Sequence, residues 1–95
     1  MTTQAKARHM TKLQSMQLLS RLAIEMDAKG YNVDLTLNNH YTNGEPHYTI
    51  EIRVWNWRVP ATSHFVEKVI KLPVTRGEMD NQIAEFINEI NEELA

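Results

Sequence analysis

At 95 residues, 42% of them hydrophobic, the chain is long enough for one hydrophobic core and short enough that a few elements must share it. The lack of cysteine excludes a disulfide framework, a thiolate nucleophile and a cysteine-based zinc or iron–sulfur site, and fits a reducing, cytoplasmic setting. The sequence has no run of the roughly 18 apolar residues a membrane helix needs and no apolar secretory signal at its start.

The formal charge of −2 conceals a polarity. Residues 1–30 carry Lys6, Arg8, Lys12, Arg21 and Lys29 against two acids, whereas residues 76–95 set Arg76 alone against Glu78, Asp80, Glu85, Glu89, Glu92 and Glu93. Residues 1–10 lack apolar periodicity and read as a flexible start or leader, leaving 11–95 as a single α+β domain.

From Thr11 the spacing predicts a helix over 11–29. Thr11 and Gln14 stand as a capping box, and Leu13, Met16, Leu19, Leu22, Ala23 and Met26 form an apolar stripe that Lys29-Gly30 terminates. Tyr31, Val33, Leu35 and Leu37 then alternate with polar residues as a one-sided strand. A polar loop is expected from Asn39 to Pro46, containing Asn43-Gly44, after which His47–Val59 returns as an antiparallel strand.

In that second strand Ile50, Ile52 and Val54 mark the core side, so period-two geometry sends Trp55 and Trp57 to the other face with Glu51 and Arg53. Residues 63–72 have apolar spacings readable as helix, but the β-branched content and the stop at Pro73 favour a third strand, with Phe65 and Val69 on the tryptophan side and Lys68 a misfit on the other. A last helix follows. Thr75 and Glu78 form its capping box, Val74 and Met79 its staple, and Met79, Ile83, Phe86, Ile87, Ile90 and Leu94 its buried stripe. The expected architecture is helix, three-stranded antiparallel sheet, helix (αβββα), with both helices on one face of the sheet.

This order is similar to that of the double-stranded-RNA-binding domain, and Tyr48-Thr-Ile-Glu-Ile-Arg-Val54 resembles that family's second strand. What the resemblance implies is a topology alone. Where the family has a lysine-rich start to the last helix, this chain reads Thr75-Arg-Gly-Glu-Met-Asp80, so no functional residue is carried over.

No catalytic residue, cofactor or metal is expected. His40, Glu45 and His47 lie close in sequence but match no recurring zinc spacing, nothing orients Ser63 and His64 as a nucleophile and base, and there is no glycine-rich phosphate loop. The acids of the last helix read as a solvated face rather than an imitation of DNA phosphates. The tryptophans admit burial at the edge of the core or under the 39–46 loop. The leading expectation is instead an aromatic outer sheet face of Trp55, Trp57, Arg53, Glu51, Phe65 and Val69 that binds a protein, either a second copy as a homodimer or a target that the chain regulates or inhibits. A small accessory or inhibitory protein of a phage or mobile element suits that description by analogy. The second expectation is a nucleic-acid-binding module in which Arg53, Arg58, Lys68 and Lys71 meet phosphate while the tryptophans stack on bases.

Overall fold

A computed structural model describes residues 8–56, 58 and 64–94. In chain order the elements are α1 (Lys12–Ala28), β1 (Tyr31–Thr42), β2 (Glu45–Asn56), β3 (Val66–Leu72) and α2 (Arg76–Leu94). The strands form one antiparallel sheet in the order β1-β2-β3, so β2 is central. This is the αβββα arrangement read from the sequence, with α1 lying mainly against β1 and α2 mainly against β3.

Register explains why both helices share a face. Val33, Leu35 and Leu37 on β1 pair with Val54, Ile52 and Ile50 on β2, and Val54 and Ile50 pair in turn with Val66 and Ile70 on β3. Directly paired residues project to the same side, so one face of the sheet is apolar across all three strands. Ile50, Ile52 and Val54 have no exposed surface, and Leu19, Leu22 and Met26 from α1 and Met79, Phe86 and Ile90 from α2 complete the core against them.

Both helices start as the sequence requires. Thr11 Oγ1 accepts the Gln14 N–H at 3.0 Å while Gln14 Oε1 accepts the Thr11 N–H at 2.9 Å, and at the far end Gly30 adopts a positive φ of 94°. At α2, Glu78 Oε1 accepts from the Thr75 N–H and hydroxyl, Thr75 Oγ1 accepts the Glu78 N–H, and Val74 and Met79 are both buried.

Three expectations need correction. The stripe of α1 holds from Met16 to Met26 but not at its start: Leu19, Leu22 and Met26 are buried and Met16 and Ala23 pack on the core, whereas Leu13 is 67% exposed and Ser15 is buried in its place. Its hydroxyl donates to the Thr11 carbonyl at 2.9 Å, which removes the cost of burying it. The loop expected over 39–46 is strand except for Asn43 and Gly44. Their φ values of 53° and 79° suit a two-residue turn whose twist matches the flanking strands, so pairing runs on to Thr42 and Glu45. The chain also joins the fold before residue 11. His9 forms an antiparallel bridge with Thr75, the Met10 N–H donates to the Val74 carbonyl at 2.8 Å, and Met10 packs on the core.

Because β3 pairs only with Tyr48–Val54, the tip of the β1–β2 hairpin continues as a two-stranded ribbon beyond the core. The radius of gyration, 15.3 Å, therefore exceeds the about 12 Å expected for a compact chain of this length.

Removing the α2 cap by Thr75→Ala is expected to cost about 1 kcal/mol, and Phe86→Ala, which empties the centre of the core, about 3–5 kcal/mol, as measured by denaturant unfolding. The Thr75 hydroxyl, then the Thr75 backbone N–H, hold the Glu78 carboxyl below its ordinary value of 4.5. A depressed carboxylate stabilises the fold above the unfolded value and loses that contribution as pH falls through the folded one. Acid unfolding curves should thus show a smaller loss of stability below the ordinary carboxylate range in Glu78→Gln, which keeps the capping oxygen but does not titrate.

Candidate functional site

The sheet face away from the helices is built from the alternate residues of each strand. Its rows, set by the register, are Asn32–Trp55, Asp34–Arg53–Glu67, Thr36–Glu51–Val69 and Asn38–Thr49–Lys71, with His40–His47 on the ribbon. No described element covers it. The short dimension of the molecule, 19 Å, is the thickness of one sheet and one helix layer.

Arg53 organises the middle of the face. Its Nε donates to Glu67 Oε2, its Nη2 lies 4.0 Å from Glu51, and its guanidinium carbon sits 5.5 Å from the Phe65 ring centroid. The bond to Glu67 and that carboxylate's charge raise the Arg53 pKa above its already high ordinary value, so the side chain is a permanent cation. Phe65 and Val69 are exposed, at 44% and 40%, and Trp55 is half-buried. The aromatic pair and Val69 do not form one continuous apolar patch, because the Arg53–Glu67 row lies between them. The face is a mosaic in which a fixed ion pair separates two apolar spots. Trp57 lies outside the described residues.

Residues 39–46 form the hairpin tip, strand but for the Asn43-Gly44 turn, whereas Trp55 pairs with Asn32 near the opposite end of the sheet, so that segment does not cover Trp55. The four bases expected to meet phosphate are not gathered together. Lys71 is on the outer face, but Lys68 is on the helix side, paired with Ile52, and extends along the apolar surface to place its ammonium 2.9 Å from Glu85 on α2. Arg58 donates its backbone N–H to Asn56 Oδ1.

His40 and His47 are direct cross-strand partners, but the His40 ring is hydrogen-bonded to Thr49 Oγ1 at 3.0 Å. Among the described residues no three histidines or carboxylates gather into a metal-holding group. His64 faces Glu93 at the end of α2, 3.1 Å from its carbonyl oxygen, and Ser63 lies outside the described residues. Four acids of α2 are engaged locally: Glu78 in the cap, Asp80 with Arg76, Glu85 with Lys68 and Glu93 with His64.

Two features were not foreseen from sequence. Leu13 and Ile24, 67% and 70% exposed, stand eleven residues apart on one side of α1, with the half-buried Met16 between them. Their spacing of three turns is a signal readable in the sequence, but the three–four spacing of Leu13 with Met16 makes it look like part of the core stripe. The second feature is a cleft at the entrances of the two helices, formed by residues distant in sequence. Comparison with known protein families, curated proteins and solved structures finds no match to the chain. Among the described residues no helix is long and apolar enough to cross a membrane.

The Lys68–Glu85 pair sits at the edge of the apolar layer, where a hydrophobic residue of similar length would lose the ion pair and gain burial. Lys68→Met is accordingly expected to leave stability within about 1 kcal/mol of the parent or to raise it, as read by chemical denaturation.

Proposed function

We propose that the protein is a non-catalytic binding module whose outer sheet face engages another protein, first of all a second copy of itself. The supporting observation is the uncovered outer face with Phe65, Val69 and half-buried Trp55 arranged around the Arg53–Glu67 pair. Aromatic side chains beside an arginine are the residue types that carry binding energy at protein interfaces. A held guanidinium also requires a partner to match its position.

The dimensions of the face bound the affinity. Three strands about 4.8 Å apart and seven rows at about 3.4 Å span roughly 14 × 24 Å. That is below the about 800 Å² per partner of a standard interface, and it makes a micromolar, reversible complex the expected outcome unless the hairpin ribbon adds contact. A regulatory or inhibitory role, whether or not encoded by a phage, suits a module of this kind, and a cytoplasmic setting belongs to the same reading.

Nucleic acid ranks second. Its support is the αβββα order shared with double-stranded-RNA-binding domains. Against it, Asp34, Glu51 and Glu67 surround Arg53, and Lys68 lies on the other face.

Sedimentation at rising concentration should reveal self-association that Phe65→Ala, Trp55→Ala or Val69→Asp weakens by roughly 2 kcal/mol at a hot spot, with the folded monomer retained. If Ile24→Ser abolishes association and the sheet variants do not, the α1 stripe is the interface and this reading fails. Salt separates nucleic-acid binding, whose affinity falls steeply with ionic strength, from an interface dominated by apolar contact.

A further inference from the structure

Two arginines of the basic N-terminal part and the one base of the acidic end line a single cleft. Arg8, ahead of α1, Arg21, within α1, and Arg76, the first residue of α2, line one open cleft of about 600 Å³ together with His9. The backbone brings them there. The His9–Thr75 bridge and the bond from the Met10 N–H to the Val74 carbonyl tie the entrance of one helix to the entrance of the other.

None of the described residues that line the cleft is a carboxylate, in a chain whose net charge is −2. Asp80 accepts from Arg76 Nε at 2.9 Å, but both side chains are more than half exposed, and such pairs hold charge weakly against a competing anion. Glu78 is committed to the Thr75 cap, from which its charge also reaches His9, so the positive end of α2 is already answered and the attraction of the cleft for anions rests on its guanidiniums. Gln14 and Gln17 also line it; the Gln14 carbonyl is taken by the Thr11 N–H, which leaves its amide NH₂ as the donor end. Guanidiniums that line one cleft attract an anion, and their planar forks of N–H donors fit phosphate oxygens two at a time.

We propose that this cleft binds the phosphate groups of a small molecule, an inorganic polyphosphate or a nucleotide. Its volume falls within the roughly 300–1,000 Å³ of small-molecule sites, and amide donors beside guanidiniums supply the hydrogen bonds that phosphate oxygens need. The site is independent of the outer sheet face, which is formed by the other side of the sheet.

The test is calorimetric titration of the full chain with sodium pyrophosphate and with ATP, at constant ionic strength maintained with chloride. Saturable binding with a dissociation constant below about 1 mM is expected for at least one of them, weakened at least tenfold by Arg21→Gln and by Arg8→Gln and unchanged by Arg53→Gln on the sheet face. Tighter binding of ATP makes a nucleotide the source of the phosphate, and equal binding makes it a free polyphosphate. Thermal unfolding of each variant without ligand verifies that it folds, and Arg21→Lys, which keeps the charge but not the fork, should bind with intermediate strength. A response no larger than that to chloride, binding indifferent to Arg8 and Arg21, or loss of duplex-RNA binding in these variants with no pyrophosphate binding in the parent would each overturn the proposal.

Discussion

The structure depends on β2 having one dry side. Ile50, Ile52 and Val54 are wholly buried, and each receives a neighbour from β1, a neighbour from β3 and the side chains of a helix laid across them. A central strand that buries one face completely needs a helix layer wide enough to cover three strands. One helix about 10 Å across is too narrow for a sheet about 14 Å wide, so two lie side by side, α1 toward β1 and α2 toward β3. With both helices on one side, no described element covers the other side of the sheet, and the candidate binding face follows from that shortage of covering elements.

The same constraint accounts for Lys68. Register places it opposite Ile52 on the covered side, near the edge where α2 passes, and its aliphatic stem continues the apolar layer while the ammonium reaches Glu85. On the open side the corresponding problem is solved differently. Arg53 has charged neighbours in its own row and stacks near Phe65, so the centre of an exposed sheet carries an ordered ion pair rather than a run of apolar side chains. An exposed face built this way resists indiscriminate edge or face association and rewards a partner that places its own groups to match.

Periodicity made the fold legible. Alternation in Tyr31–Leu37 and Tyr48–Val54, and the three–four spacing of Met79 to Leu94, report local geometry, and each capping box names its own helix start. Legibility failed where two local signals competed or where distance in sequence mattered. Leu13 looked like core because leucine usually is, while Ser15 pays for its burial with a bond to its own helix turn that composition does not reveal. The outer-face positions Arg53, Glu51, Phe65 and Val69 were readable because they follow from parity along a strand, but the row order that divides the aromatic pair from Val69 needed the register. The arginine cleft was invisible for a stronger reason: Arg8 and Arg76 are 68 positions apart, and it is the backbone pairing of His9 and Met10 with Thr75 and Val74 that brings their segments together.

The two surfaces therefore differ in kind as well as position. Lys12 lies 4.0 Å from the Tyr48 ring centroid and Tyr48 pairs with Leu72, so the entrances of both helices, and the cleft between them, stand at the end of the sheet from which the hairpin ribbon emerges. Trp55 lies toward the opposite end, on the opposite face. A protein seated on the outer face would leave the cleft open to solvent, and an anion in the cleft would not touch the sheet. What they share is the core between them: an anion that binds the folded arrangement of Arg8, Arg21 and Arg76 favours the placement of α1 and α2 on the sheet and stabilises the fold that presents the outer face, by mass action and without any change of shape. Coupling of that kind would be felt as global stability rather than as a selective change in partner affinity, which would need a second arrangement of the sheet face for the anion to disfavour.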